Sequence, residues 1–307
     1  MRPFRLAHIS DPHLGPLPPV KRRELASKRI TGYANWMLNR RDQMGSSVID
    51  GLVAHMLAQT PDHVAVTGDL VNLALPGEFE NAAAWLSTLG EPADVSVVPG
   101  NHDTYVPGAL AKAVDAWRPW MSGDETGGVG DVRLFPYLRR RGHVAVIGVN
   151  SGRASMPFLA TGSFRERQAR ALGGLLRATG EAGLFRVVMI HHPPFPNATA
   201  ANKRLIGASR FRNVVRDHGA ELVLHGHTHI VSRQTIEGPH GPVPVIGVPS
   251  TSHAPRVAGG TGKPGARYNW FEIEADGTFV HREYGYGDGA DTVTLLAEHA
   301  APLPEPA

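Results

Sequence analysis

The chain has 307 residues, 42% hydrophobic and 19% charged, the profile of a soluble protein able to bury a sizeable core. A formal charge of +3 is too weak to point to nucleic acid, and the absence of cysteine excludes disulfides and thiolate metal sites. The N-terminus enters an apolar strand without the core of a signal peptide, and no apolar run approaches the ~20 residues of a membrane-spanning helix. The expectation is a cytoplasmic protein, peripheral at most to the inner face of a membrane.

Phe4 to Ser10 reads as the first strand, ending in Asp11-Pro12-His13. A carboxylate and an imidazole two residues apart on a turn can both address one cation. The stretch from Val20 to Met44 is basic and amphipathic. Lys21, Arg22, Arg23, Lys28, Arg29, Arg40 and Arg41 face only Glu24 and Asp42, while Ala26, Ile30, Tyr33, Ala34, Met37 and Leu38 recur at helical spacing. It is expected to be helical with a break at Gly32, serving as a packed helix, a lid or a membrane-surface element.

Ser46 to Gln59 reads as a helix. Asp62 to Gly68 reads as a buried strand that stops at Gly68-Asp69. The glycine permits a tight turn, and the aspartate is then held at the carboxyl end of the strand, where open α/β sheets place their ligands. A carboxylate has two oxygens, so Asp69 can bridge two cations. Pro76 to Leu89 is a helix with proline at its start. Asp94 to Val98 is a strand running into Gly100-Asn101-His102-Asp103.

A helix from Gly108 to Pro119 precedes a glycine-rich loop, Gly123 to Asp131, and a strand from Val144 to Val149. A capping box, Ser163-x-x-Glu166, is expected to open a helix to Thr179. Phe185 to Ile190 is a strand ending in His191-His192-Pro193-Pro194. A helix over Gly207 to His218 leads to a strand over Glu221 to Leu224, which ends in His225-Gly226-His227-Thr228-His229. Val243 to Val248, Tyr268 to Glu274 and Thr278 to Tyr284 read as strands, the last two as a hairpin through Ala275-Asp276-Gly277. The Pro-rich end, 300–307, is expected to be disordered and 1–299 to be one domain with the basic segment 20–44 inserted. Alternating strands and helices indicate a layered α/β fold.

Each motif alone is a weak signal; together, in this order and each at a strand end, they resemble the calcineurin-like metallophosphoesterases. The resemblance spans residues 4 to about 250 and implies a four-layer α-β-β-α sandwich, two mixed β-sheets with helices on the outer faces. It implies two divalent or mixed-valence ions per chain. Asp11, His13, Asp69 and His229 would hold one; Asp69, Asn101, His191 and His227 would hold the other. Two such ions ~3.5–4 Å apart clamp a phosphoryl group and generate hydroxide for in-line attack on phosphorus. Imidazole and oxygen ligands suit Mn, Fe, Zn or Co without choosing between them. His102 would lie near the leaving group as its proton donor, or else hold a neighbour in place. His192 and His225 adjoin ligands but should point the opposite way on an extended backbone. His8 is expected to be buried or at an edge.

Departures from relatives narrow the expectation. The Ser/Thr phosphatases of the family carry Gly-Asp-x-x-Asp-Arg-Gly, whereas this chain has Gly68-Asp69-Leu70-Val71-Asn72 and lacks that arginine. Purple acid phosphatases place a tyrosine ligand where Asn72 stands. What remains resembles the bacterial phosphodiesterase branch, with enzymes that cleave UDP-diacylglucosamine as a second relative. The expected substrate is a small or lipid-linked phosphodiester, met in the latter case at an anionic membrane surface. A protein-binding scaffold and a nuclease are the competing readings; retained ligating side chains count against the first and the low net charge against the second.

Overall fold

The computed structural model describes residues 2–39, 46–124, 134–255 and 262–300. Apolar runs Phe4–Ile9 (β1), His63–Val66 (β2) and Val95–Val97 (β3) lie parallel in one six-stranded sheet. Arg267–Ile273 (β12) joins β1 antiparallel, and Phe279–Tyr286 (β13) and Val293–Ala300 (β14) continue outward. In the second six-stranded sheet, Val144–Val149 (β5), Phe185–Ile190 (β7), Leu222–His225 (β9) and Gly241–Gly247 (β11) are parallel. Tyr137–Arg141 (β4) and Ser232–Gly238 (β10) close its edges antiparallel.

Alternation along the strands decides which side chain goes to which layer. Leu6, Ala65 and Phe271 of the first sheet meet Val146, Val187 and Leu224 of the second, forming the central core. Their neighbours Ala7, Ile9, Val64 and Val66 face outward beneath Ser46–Ala58 (α2), Pro76–Leu86 (α3) and Ala109–Met121 (α4). Ile147, Val188 and Val223 face outward beneath Glu166–Glu181 (α5) and Ala208–His218 (α6). This is the four-layer sandwich expected from the sequence. Both sheets present the carboxyl ends of their parallel strands to the same side, where the turns described below converge. His8 is buried between the sheets, its ring nitrogens 2.9 Å from Thr67 Oγ1 and 3.2 Å from Asn269 Nδ2.

Several expectations need correction. The segment 20–44 is not one helix: a 3₁₀ turn at Arg22–Leu25 precedes Arg29–Asn39 (α1), and 40–45 lies outside the described residues. Gly32 does not break α1; a Cβ there would collide with Tyr105 Oη and Leu73 Cδ2, so its smallness permits close approach. Nor are all the basic residues on an outer face. Lys28 Nζ donates to Ser155 Oγ at 2.9 Å and Leu159 O at 2.8 Å, and Arg29 donates to the carbonyls of Leu73 and Ala74. Ile30 and Met37, expected on the packed stripe, are exposed.

Ser163 is not a helix cap. It lies in a two-residue strand, Gly162–Ser163 (β6), paired with Leu205–Ile206 (β8), and α5 begins after Arg165 without a side-chain cap. Strands β4, β10 and β14 escape the sequence pattern. In β4 the reason is Arg139, which is buried and donates to the carbonyls of Ser122, Pro92, Val95 and Pro119. A charged side chain thereby serves as a core post, satisfying the carbonyls around it. Most of the glycine-rich loop expected at 123–131 and all of the tail beyond Ala300 fall outside the described residues, and Ala300 itself ends β14.

Candidate metal centre

Five strand ends carry the chemistry, and the turns after β1, β2 and β9 have unusual backbones. Asp11, His13, Asp69, His227 and His229 all have positive φ, between 42° and 69°. Such conformations cost of order 1–3 kcal/mol each in non-glycine residues and persist only where surrounding contacts fix them. Here the contacts are identifiable. Asp11 N donates to Gly68 O, and His13 N donates to Asp69 O, which binds the first turn to the second. His227 N donates to Asp11 Oδ2 at 2.9 Å, which binds the β9 turn to the first. Gly68 and Gly226 are the glycines the packing requires. A Cβ on Gly68 would meet Gly100 N and Val98 O, and one on Gly226 would meet Ser10 Oγ and Asp11 Oδ2.

At the middle of these turns lies Asp103. Its buried carboxylate accepts hydrogen bonds from the amides of Asp69 (2.7 Å), Leu70 (2.8 Å), Val71 (3.2 Å) and Gly100 (2.8 Å). Burial, then the charge of nearby Asp69, push this carboxyl up to about 7, while amides including those of Gly100 and Val71 pull it back. A cation on Asp69 would remove the second of those upward causes. Glu78 does the same for the loop that follows, accepting from the amides of Asn72, Leu73 and Leu75.

The predicted site residues come together. Asp69 Oδ2 lies 3.9 Å from His13 Nε2 and 3.5 Å from His191 Nε2, between the two groups. On one side, the ligating atoms of Asp11, His13 and His229 lie within 4.8 Å of one another, with His13 Nε2 3.4 Å from His229 Nε2. On the other, His191 Nε2 lies 3.3 Å from Asn101 Oδ1, and its ring packs edge-on to that of His227 with centroids 5.1 Å apart.

The tautomers follow from the outer contacts. His13 Nδ1–H donates to Val71 O and His191 Nδ1–H to Thr67 O, so Nε2 of each is the atom turned toward the carboxylates, available to a cation. His229 Nδ1 lies 3.3 Å from His253 Nε2, and its own Nε2 is 3.0 Å from Asp11 Oδ1. Asp11 Oδ1 nevertheless has no hydrogen-bond partner although it is buried. A protonated His229 makes this contact an ion pair; a neutral one with its proton on Nδ1 sets an imidazole lone pair and a carboxylate lone pair face to face at contact distance. A cation between them is what reconciles that arrangement, so the residues present fit a metal. His227 differs: its Nε2–H donates to Lys203 O at 2.9 Å, which makes Nδ1 its ligating atom.

Electrostatics agree. Burial would raise the Asp11 carboxyl, but the adjacent His229 outweighs it and holds the group below the usual range. Burial likewise opposes ionisation of Asp69 and is overcome by His191, His102 and His13. In the metal-free protein His191 is driven the other way: burial lowers it, but Asp69 and Asp11 raise it to about 9, so its Nε2 holds a proton toward Asp69 that a cation would displace. His227 is pushed down to about 3 by burial and by His191.

His102 sits at the margin. Its amide donates to Asp69 Oδ1 at 2.7 Å, its Nδ1–H donates to Asn72 O at 2.6 Å, and its ring stacks on Tyr105. The Asn72 carbonyl keeps Nδ1 protonated, so Nε2 is the atom that exchanges a proton. His225 turns away, as expected, to Gly226 O and Ser232 Oγ. His192 does not turn fully away: its ligating atom lies within 4.8 Å of those of His191 and His227. Both its nitrogens are taken, by Ser151 Oγ and Ala160 O, so it ties the loop after β5 to the site. Asp103, Glu78 and His253 are the contributors that sequence reasoning missed. His253 stands alone in sequence, and only the fold brings it behind His229.

A sequence model of the calcineurin-like phosphoesterases matches residues 4–231. No curated protein matches the chain. Among solved structures, the chain is similar to a dimetal phosphatase from Danio rerio, with a TM-score of 0.62 and 14% identity over 97% of this chain and 99% of that one. It is also similar to the purple acid phosphatase PPD1 from yellow lupin (Lupinus luteus) seeds, with a TM-score of 0.58 and 11% identity over 96% of this chain and 53% of that one. At these identities the likeness is one of fold.

Proposed function

Because the chain belongs to the calcineurin-like phosphoesterase family, whose activity is metal-dependent hydrolysis of phosphoesters, we propose that it is a dinuclear-metal phosphodiesterase. Asp11, His13, Asp69 and His229 surround one ion position, and Asp69, Asn101, His191 and His227 surround the other. The observation that supports this reading is the convergence of buried Asp11, His13, Asp69, His191 and His229, whose ligating atoms lie within 4.8 Å of one another in overlapping groups. Bound there, two divalent ions supply Lewis acidity and a nucleophile drawn from water at neutral pH.

The chain's own groups do the rest. Asp69 supplies the negative charge shared by both positions. Val71, Thr67 and His253 fix the imidazoles in the ligating tautomer. His102 Nε2 gives a proton to the departing oxygen while Asn72 O steadies the ring. Support for a diester over a monoester is the absence of a cationic side chain at Leu70, Val71 and Asn72, where the one extra negative charge of a monoester dianion would call for one. Hydrolysis of bis(p-nitrophenyl) phosphate should vanish on dialysis against chelator and return with manganese; a chain that turns over no diester with any of Mn, Fe, Zn or Co is not a phosphodiesterase, and one that turns over no monoester either is a scaffold.

His102→Ala should leave the metal content intact and slow the reaction ~10²–10⁴-fold for alkyl leaving groups, with a smaller loss for nitrophenol, which needs no proton. Parallel kinetics on the two leaving groups decide it. Equal losses would make His102 a support for Asp69 through its amide.

A membrane-presented substrate is a second reading, favoured by the site's surroundings. Phe158 is 82% exposed and Met156 71% exposed, on a loop that Lys28 ties to α1, itself bearing exposed Ile30. Arg22 and Arg23 are exposed just ahead of α1. Apolar tips beside cations suit an anionic lipid surface. Among the described residues no helix is long and apolar enough to cross a membrane. Wild-type protein should sediment with anionic vesicles at low salt. The combination Arg22→Ser, Arg23→Ser and Phe158→Ser should abolish that while sparing hydrolysis of a small diester. Indifference of the wild type to such vesicles would remove the membrane from the proposal.

A further inference from the structure

One strand away from His191, the chain leaves β5 through Asn150-Ser151-Gly152-Arg153, since Val149 pairs with Ile190 in the parallel register of β5 and β7. This exit forms the floor of a cleft of about 590 Å³. The floor touches the metal-site turn directly: a Cβ on Gly152 would lie 2.7 Å from Gly100 O and 2.9 Å from Thr104 Cγ2. Gln168 of α5 holds the floor in place, its Oε1 accepting from Asn150 N and its Nε2 donating to Asn150 O.

The chemistry of the walls is lopsided. Arg153, Arg165 and Arg167 line the cleft, and among the described residues no aspartate or glutamate does. The side chains of these three arginines have no hydrogen-bond or ion-pair partner among the described residues. Glu166, the carboxylate closest to them in sequence, is engaged instead by Arg170 and Arg210. The remaining wall, from Val106, Leu110, Val114 and Phe135, is apolar. A guanidinium fork matches a phosphate or carboxylate bidentately, and three of them in one concavity, with no carboxylate among its described lining residues, suit an anion. The volume is that of a pocket for a small organic ligand rather than a bare ion.

We propose that this cleft is a second anion subsite, which selects phosphodiesters carrying a further phosphate or carboxylate on a body that rests against the apolar wall. The inference rests on the phosphodiesterase reading and adds to it a substrate class: the scissile phosphate goes to the metal turns, and the second anion goes to Arg153 and Arg167. Nothing in the metal centre requires that second charge, so it acts on selectivity and not on the chemical step.

A matched pair of chromogenic diesters tests it: thymidine 5′-(p-nitrophenyl phosphate) with and without a 3′-phosphate. The manganese-loaded wild type should favour the 3′-phosphorylated diester ~10–100-fold in kcat/KM, the range of a charge-assisted hydrogen bond of about 1.5–3 kcal/mol. Arg153→Ala with Arg167→Ala should bring the ratio close to one and leave turnover of the unphosphorylated diester unchanged. Calorimetric titration of the same two compounds into the chelator-treated protein gives a readout independent of turnover, and there too the 3′-phosphate should tighten binding ~10-fold or more in the wild type alone. If neither diester is hydrolysed, the phosphodiesterase reading fails and the titration still decides the subsite. Equal affinity of the wild type for the pair, or a preference that survives loss of both arginines, overturns the subsite. A 3′-carboxymethyl analogue separates the two anions: equal preference assigns the subsite to either charge, and preference for the 3′-phosphate alone restricts it to phosphate.

Discussion

Asp69→Asn should lower kcat/KM for bis(p-nitrophenyl) phosphate by ~10³-fold or more, a loss of about 4 kcal/mol of transition-state stabilisation. It should also reduce the metal retained after dialysis from two equivalents to one or none. The substitution is nearly isosteric and keeps an Oδ1 to accept the His102 amide, so the turn survives. What disappears is the single negative charge lying between His13 Nε2 and His191 Nε2, at 3.9 Å and 3.5 Å. In the metal-free protein the melting temperature should move by only a few degrees, because the strand beneath, β2, is held by Val64, Ala65 and Val66 in the core. Elemental analysis alongside kinetics separates the effects. Two ions retained with normal turnover would show that Asp69 bridges nothing.

Asp103→Ala should be the most destabilising single change near the site. It strands four buried amides, those of Asp69, Leu70, Val71 and Gly100, and each such orphan costs about 1–3 kcal/mol. Water entering the vacated space offsets part of this, so the expected loss is roughly 3–5 kcal/mol, among the larger effects a point mutation produces. For a chain of this size that corresponds to a melting temperature lower by roughly 5–15 °C. Activity should fall with it, since the same amides set the left-handed turn at Asp69. Asp103→Asn should lie between, as one of its two terminal atoms can no longer accept. A thermal melt of Asp103→Ala that matches the wild type would show that the turns hold themselves.

The strand-end motifs were legible because each requirement has a short sequence signature. An apolar strand supplies direction, a glycine permits the turn, and the ligating residue follows at once, as in Gly68-Asp69 and Gly226-His227. The layering was legible for a similar reason: alternation assigns Leu6 and Ala7 to opposite faces without further information. What escaped depends on distant partners. Tyr137–Arg141 reads as polar until four carbonyls from other segments converge on Arg139. Gly32 looks like a helix breaker until Tyr105 is packed against it. Ser163 and Glu166 have capping-box spacing, but the local preference lost to strand pairing with Ile206. Asp103 ends the motif Gly100-Asn101-His102-Asp103, but no spacing in the sequence reveals that its carboxylate is spent on the backbone amides of another turn.

The division of the ligating residues between the sheets bears on how the protein is made. Asp11, His13, Asp69 and Asn101 follow β1, β2 and β3, whereas His191, His227 and His229 follow β7 and β9, and each ion position draws on both sets. A chain growing from its N-terminus therefore displays the carboxylates of the first sheet long before the imidazoles of the second exist. The proposed positions would be complete only once residues 229 and 227 respectively have emerged and the second sheet has closed over the first. If these residues hold metal as proposed, its acquisition would come late in biosynthesis, and the nascent half-protein would offer stray cations no finished coordination sphere in which to be trapped.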